Sequence, residues 1–476
     1  MAMQSRRDQV QAHSYLVGRL TSALVSAEPD APEPPLRRTT IGWFASLVIG
    51  LILVAIFAVF GLIFPGNDDS WRAEGVLIVE EESGNRYLFV DGRLHPVRNY
   101  ASARLLIGRE PTVESVSRRS LAGVPHGHPV GIPHAPDVLP DPSLVNQGDW
   151  LICTHAVPDS TGTIRPVVTV HMGSAADSAG LRPLNDDETV LIQGPDGDTY
   201  LAWRDRRLRL GAPWVADGLG MGSTAPVPVD PRWLNALPAG TDLAAPQVTE
   251  LGREGPVVDG TETRVGQVLV VRNATGREEF YLVVRDGVTP LTPLEAALVL
   301  ADPATAAAYP DGIAEPVPAS PAAVSQLRQG TSSAGDELAL PTAPPTPMTP
   351  GSDTAVCARH RPGPEGAEVR VTLVPDRDVL PRPRPVTTGD GWVVDDRVAD
   401  AVSIDPNAGA LVFPEVAPGV AGSAAYLITD TGVKYPVPSA NAVEALGYAG
   451  VTPALIPPTV LALLPTGPAL DIGEGR

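Results

Sequence analysis

Asp430-Thr431-Gly432 matches the aspartic-protease triplet, in which two carboxylates share one proton. The same positions align with Asp91-Gly92 and Asp286-Gly287, which read as hairpin turns, so a turn is the expected role here too. His126, His128 and His134 cluster in GVPHGHPVGIPHAP and carry imidazoles able to ligate a metal. No acidic or cysteine ligand stands at matching spacing, and a solvated proline-rich loop is the expectation. A phosphate-cradling loop needs glycines followed by Lys and Ser or Thr. The chain's single lysine, Lys434, instead sits in TGVKYP inside a hairpin. Gly-x-Ser-x-Gly nucleophile signatures are missing as well. These residues give no catalytic, cofactor or metal site, and the enzyme question leans towards a non-catalytic chain.

The remaining chemistry is that of two cysteines, Cys153 in DWLICTHAV and Cys357 in TAVCARHR, both in apolar, strand-like surroundings. In an oxidising compartment they read most simply as one disulfide, the alternative being two free buried thiols. A bridge would require Cα atoms about 4.4 to 6.8 Å apart.

The elements that must position this pair are repetitive. Four segments share one pattern, an apolar strand opening with Tyr-Leu, a polar turn and a second short strand: RYLFVDGRLHPV, TYLAWRDRRLRL, FYLVVRDGVTPL and AYLITDTGVKYPV. The marker residues are Tyr87, Asp91 and Gly92; Tyr200 and Asp205; Tyr281, Asp286 and Gly287; and Tyr426, Asp430 and Gly432. Each segment reads as a β-hairpin, followed in at least three copies by a helical stretch and later by a proline-led turn, as in WLNALPAGTDL and VLALLPTGPAL. A unit this small must pack on its neighbours or on a shared core. The spacing between the first and second copies, and between the third and fourth, is oversized, and each of those gaps holds one cysteine. A central domain built from two pieces, with the second and third repeats inserted between them, is therefore expected.

Composition agrees with a turn-rich β protein: 52 prolines, 46 glycines and 5% aromatics. The net charge of −20, without any arginine stripe interleaved with aromatics, argues against nucleic acid. Residues 41–64 are free of charge and long enough to cross a hydrocarbon core of about 30 Å. Arg37 and Arg38 precede this stretch and Asp68 and Asp69 follow it, so the positive-inside bias puts the N-terminus in the cytoplasm and the bulk of the chain outside. Before it, apolar positions at helical spacing over residues 8–27 predict an amphipathic helix.

The expected architecture is a single N-terminal transmembrane helix plus a mainly β (α+β) exterior part of four hairpin-containing repeats around a discontinuous central domain. Its boundaries are 1–40 for a cytoplasmic amphipathic tail, 41–64 for the transmembrane helix and 75–142 for repeat one. Residues 143–180 are piece one of the central domain, 185–250 repeat two and 262–330 repeat three. A flexible linker at 331–350, within a Pro-, Ser-, Thr- and Ala-rich stretch over 314–350, leads to piece two at 351–405 and repeat four at 410–476.

The tail RRDQVQAHSYLVGRLTSALV, the phrase SLAGVPHGHPVGIPHAPDVLPDP, the four hairpins, the paired cysteines and the C-terminal YLITDTGVKYPVPSANAVEALGYAGVTPALIPPTVLALLPTGPALD resemble the EccB family of actinobacterial type VII (ESX) secretion systems. The resemblance implies a structural, membrane-anchored subunit of a protein-export complex that assembles with an EccC-type ATPase, EccD, EccE and a mycosin protease, and as a homo-oligomer. An ATPase activity has been proposed for the family, and no residue here supports it. Two other readings stay open: an envelope hydrolase or ATPase accessory subunit, and a cell-wall or ligand-binding module.

Overall fold

A computed structural model describes residues 6–27, 37–63, 69–158, 161–173, 180–330, 340–379, 384–385 and 391–471. Two helices lead the chain. The first, Arg6–Ser26, carries exposed Val10, Leu16, Val17, Leu20 and Leu24. The second, Arg37–Ile63, contains an apolar stretch, Thr39–Val59, long enough to cross a membrane and with none of its surface buried in the protein. That helix starts four residues before the expected apolar run, taking in the backbone of Arg37 and Arg38, whose side chains lie outside the described set along with residue 64.

Beyond the helices the protein is mostly β. Four sheets share one topology, in which a hairpin extends an earlier strand and a later strand returns parallel to that first one. In the first sheet Val76–Glu80 pairs antiparallel with Arg86–Val90, which pairs with Arg93–Pro96, and Thr112–Val116 runs parallel to Val76–Glu80. The corresponding strands of the second sheet are Glu188–Gln193, Thr199–Trp203, Arg206–Arg209 and Val227–Pro228. In the third sheet they are Val268–Arg272, Glu278–Val284, Gly287–Leu291 and Val317–Ala319. In the fourth they are Ala410–Ala417, Ala425–Ile428, Lys434–Val437 and Ala454–Ile456. A parallel return needs a crossover, supplied each time by a short helix: Tyr100–Ile107, Trp214–Gly218, Pro293–Ala301 and Ala440–Ala445. Three of these start at a side-chain cap, from Asn99 to the Ser102 amide, Thr292 to the Glu295 amide and Ser439 to the Ala442 amide. A further one-turn helix follows each returning strand, Arg118–Leu121, Pro231–Leu234, Pro321–Ser325 and Pro458–Leu461.

The hairpin turns depart from a uniform Asp-Gly pattern. Asp91 and Gly92 form the two-residue loop of the first, both in the left-handed region (φ 49° and 73°) that such tight loops favour. In the third hairpin Val284 pairs with Gly287, so the loop is Arg285-Asp286 and Gly287 opens the next strand. A side chain at Gly287 would collide with the Arg328 carbonyl, whose own chain closes on Val288, and that crowding rather than turn geometry accounts for the glycine. The fourth hairpin closes through a longer loop over residues 429–433.

Between the sheets lies a seven-stranded one, in the order Arg384–Pro385, Ala401–Ile404, Ile164–Met172, Trp150–Pro158, Thr354–Arg361, Glu368–Pro375 and Arg182–Pro183. Strands from before and after the second and third sheets thus interleave within it, two from after, two from before, two from after and one from before. One face packs Trp150, Ile152, Val168 and Val170 against Trp233 and Val190 of the second unit and against Val412, Ile456 and Val460 of the fourth. The four units also pair among themselves. Leu105 of the first shares a cluster with Leu427, Tyr435 and Tyr448 of the fourth, and Leu294 and Leu298 of the third share one with Trp203 and Val215 of the second.

The expected linker at 331–350 is only partly described, since residues 331–339 lie outside the described set. Its second half differs from a free linker. Thr346–Pro347 pairs parallel with Glu188 and Thr189, the Thr346 amide donates to the Asp187 carbonyl at 2.7 Å, and Leu340 packs on the second unit. Proline content marked it as irregular, yet two ladder hydrogen bonds and one apolar anchor suffice to order it.

Candidate functional site

Cys153 and Cys357 are directly opposed in neighbouring antiparallel strands and joined as a disulfide. Their Cα atoms are 4.0 Å apart, closer than the range expected from sequence. Opposed residues of an antiparallel pair already approach to about 4.5 Å where no ladder bonds separate them, so the strand register accounts for the short span. Both sulfurs are fully buried, beside Leu151, Ala355, Val374 and Val379.

On the same sheet Cys153 is opposed on its other side by Thr169. The Thr169 hydroxyl stands 3.0 Å from His155 Nε2 and 3.1 Å from His171 Nε2, and His155 Nδ1 is 3.1 Å from an oxygen of Asp376. If Asp376 accepts from Nδ1–H, then His155 Nε2 accepts the threonine proton and His171 Nε2–H donates to the hydroxyl. The first three members have the acid–imidazole–hydroxyl connectivity of an acyl-transfer triad. Thr169 is only 3% exposed, however, so no substrate carbonyl reaches it in this structure. Burial lowers the affinity of both rings for protons. His171 is brought down to about 4, and His155 also falls, its burial partly offset by Asp376. His171 Nδ1 has no partner. The sequence reading singled out none of these four residues, because two strands and the helix Asp376–Val379 bring them together and no local spacing marks them.

The other chemical candidates are dispersed. Asp430 accepts from the Asn407 amide at 3.1 Å, Thr431 bonds Thr429 at 2.7 Å, and Gly432 is left-handed at φ 82°, all as parts of a turn. His126 lies edge-on to Tyr87, while the His128 carbonyl meets His95 Nδ1 at 3.0 Å. Among the described residues no group of three or more His, Cys, Asp or Glu is arranged to hold a metal. Lys434 is buried, and its ammonium donates to the carbonyls of Leu461 at 2.8 Å and Leu464 at 2.5 Å, around the C-terminal end of a one-turn helix. Burial lowers its pKa to about 8, against the pull of Asp395.

The hairpin tyrosines lie in separate sheets but at one equivalent place, opposite the third strand. Tyr87 faces Pro96, Tyr200 faces Arg209, Tyr281 faces Pro290 and Tyr426 faces Pro436. Two of the turns dock on the central sheet. The Arg204 carbonyl, in the turn with Asp205, accepts from the Val371 amide at 2.8 Å, and Gly432 lies against Val402 closely enough that a Cβ would come within 2.9 Å of it. The turns at Asp91-Gly92 and Asp286 are exposed.

This arrangement has close counterparts. The profile of the family described as "Type VII secretion system ESX-1, transport TM domain B" matches residues 2–475. The protein named ESX-3 secretion system ATPase EccB3, from Mycolicibacterium smegmatis, is 29% identical over 98% of this chain and 89% of its own length. ESX-5 secretion system ATPase EccB5 of Mycobacterium tuberculosis is 28% identical over 98% and 92%. Among solved structures, a chain of the intact ESX-5 inner membrane complex superposes with a TM-score of 0.66 at 26% identity, covering 100% of this chain and 95% of that one. A chain of the EccB3 dimer from the ESX-3 core complex gives 0.64 at 25% identity, covering 84% of this chain and 99% of that one. With one apolar helix of spanning length among its described residues, a largely β remainder and a profile match over residues 2–475, the chain belongs to the EccB family of type VII secretion proteins.

Proposed function

We propose that this protein is a structural, membrane-anchored subunit of a type VII secretion complex, shaping the part of the export machine outside the cytoplasm. The observation that carries the reading is the end-to-end likeness to a chain of an intact ESX-5 inner membrane complex. A related structure is that of a periplasmic assembly from the ESX-5 complex and another that of an EccB3 dimer, which supports an extracytoplasmic bulk and self-association. The finer reading is that the N-terminus is cytoplasmic, with Arg37 and Arg38 on the inner side. The four like sheets are repeats over 75–142, 185–250, 262–330 and 410–476, around a central domain made of 143–180 and 351–405. The immediate partners are an EccC-type ATPase, EccD, EccE, a mycosin protease and further copies of this chain.

Affinity purification of the tagged full-length protein from its host membranes is expected to recover those partners in one complex. Recovery of the chain alone under conditions that preserve the complex would overturn the reading. Orientation is read separately, by labelling cysteines placed at residue 5 and at the exposed Ala449 in a Cys153→Ser/Cys357→Ser background, with only the second expected to react from outside intact cells.

A second reading has one observation behind it, the word ATPase in the relatives' names. The chain's only lysine is buried against two carbonyls, not set in a glycine-rich loop, so the phosphate grip of a P-loop has no counterpart in it. Turnover of ATP by the purified chain, abolished by one substitution, would favour this reading over the first.

A further inference from the structure

A cleft of about 710 Å³ opens between the central sheet and the second hairpin unit. Two aspartates at its lining each hold two arginines. Asp149 pairs with Arg359 and with Arg361 (3.0 Å), and Asp186 pairs with Arg204 (2.8 Å) and Arg370 (2.8 Å). Each trio has a net charge of +1. The other charges at the lining are a neutral Arg206–Asp205 pair and Glu368, so the cleft as a whole stays positive in a chain of net charge −20.

Asp186 and Arg370 fasten the second unit to the central sheet, whereas Asp149, Arg359 and Arg361 all lie on or beside strands of the central sheet, so that the Asp149 trio makes no joint with the second unit. The strand register adds an independent observation. Arg359 and Arg370 stand directly opposite each other in the ladder between Thr354–Arg361 and Glu368–Pro375. Like charges at directly opposed positions destabilise a sheet. Local rules of this kind are broken chiefly where a function holds the residues in place. The cost is partly relieved by the aspartates: Arg370 and Arg204 keep the Asp186 carboxyl below its usual pKa, so it stays ionised. Arg204 also lies over the Trp203 ring at 4.6 Å, which orients its guanidinium at the rim.

From this geometry we propose that the cleft binds a small polyanion bearing at least two phosphate groups, with the Asp149 trio and the Asp186 trio each engaging one of them. A guanidinium fork matches phosphate oxygens bidentately and keeps its charge at any physiological pH. Two net-positive centres facing one cavity suit a ligand with two anionic groups better than a single orthophosphate. The ligand's source is either a free diphosphate or the phosphate chain of a nucleotide. The inference does not depend on the secretory role.

The test is calorimetric titration of the full-length protein in detergent, at 50 and 150 mM salt, with pyrophosphate, ATP and orthophosphate. Saturable binding of pyrophosphate at least tenfold tighter than orthophosphate is expected, weakened tenfold or more in Arg361→Gln. That variant leaves Asp149 paired with Arg359, and Arg361 is itself 61% exposed, so folding should survive. Its unfolding midpoint serves as the check on that. Arg397→Gln, which alters an arginine paired with Asp395 outside the cleft, should bind like the parent. ATP binding as tightly as pyrophosphate would identify a nucleotide-borne chain as an admissible source, and tenfold weaker ATP binding a free diphosphate. No saturable binding of pyrophosphate, no preference over orthophosphate, or equal affinity in a folded Arg361→Gln protein would overturn the proposal.

Discussion

At the scale of single residues, the described exterior holds several bases that burial keeps from their ordinary charge. His171 and His360 are both pushed down to about 4 by desolvation. Neither nitrogen of His360 has a hydrogen-bond partner, though the Ala236 backbone is near enough to favour the charged form slightly. Unfolded, each ring takes its proton near pH 6.5. Between about 4 and 6.5 the unfolded chain therefore binds more protons, and stability must fall as pH drops through that window, by up to about 3 kcal/mol per ring. Urea unfolding between pH 7 and 4 should show this loss, and His360→Leu should reduce its slope. Lys434, with a pKa near 8, acts at the other end. Its folded form releases the proton more readily than the unfolded one, so its contribution to stability rises from about pH 8 to 10.5. In Lys434→Met the rise should vanish, and at pH 7.5 the variant should lose about 1 to 3 kcal/mol for the Leu464 carbonyl left unbonded, less the relieved burial of a charge, while the Leu461 carbonyl keeps the Leu464 amide at 3.3 Å. Of these residues the sequence marked only Lys434, by its singularity. A histidine's burial depends on which strands cover it, and no window of sequence around His171 or His360 contains that information.

At the scale of elements, the hairpins were legible because alternation and short polar turns act locally. The strand that opens each sheet was not. VLIVE, ETVLIQ, VLVVR and ALVFPEVA are largely apolar runs with no clean period-two signal, and each is ordered by partners on both sides. The returning strand is as short as two residues in the second sheet and has no signature of its own. The crossover helices also do more than connect. Trp214–Gly218 packs on Pro293–Ala301, and a Cβ at Gly218 would run into that of Ala301. Gly218→Val should therefore separate the second and third units, costing about 1 to 3 kcal/mol through overpacking. Hydrogen exchange should report it as faster exchange in both helices, with the first and fourth units unchanged. Exchange confined to residues near 218 would show that the contact is not a joint between units.

At the scale of the whole molecule, the chain leaves the central sheet after Arg182–Pro183, builds two units and returns, so that strands on either side of the excursion meet at the disulfide. The cysteines were readable as partners because there are two of them and both lie in strand-like surroundings. The pairing of the first unit with the fourth was not readable. It rests on contacts such as Arg104 Nε to the Ala445 carbonyl at 3.0 Å and the Tyr448 hydroxyl to the Pro140 carbonyl at 2.9 Å, across more than three hundred residues of sequence. The disulfide also decides how the molecule carries tension. Pulled between its membrane helix and its C-terminal unit, the oxidised chain has a covalent shortcut from residue 153 to residue 357, and the 204 residues of sequence separation never come under load. At about 3.4 Å per extended residue, that withholds roughly 700 Å of contour. In single-molecule stretching the reduced protein should lengthen by that much more than the oxidised one. The second and third units would unfold under force only once the bridge is cut, leaving them a slack side-branch on a machine whose taut path runs through the first unit, the central sheet and the fourth.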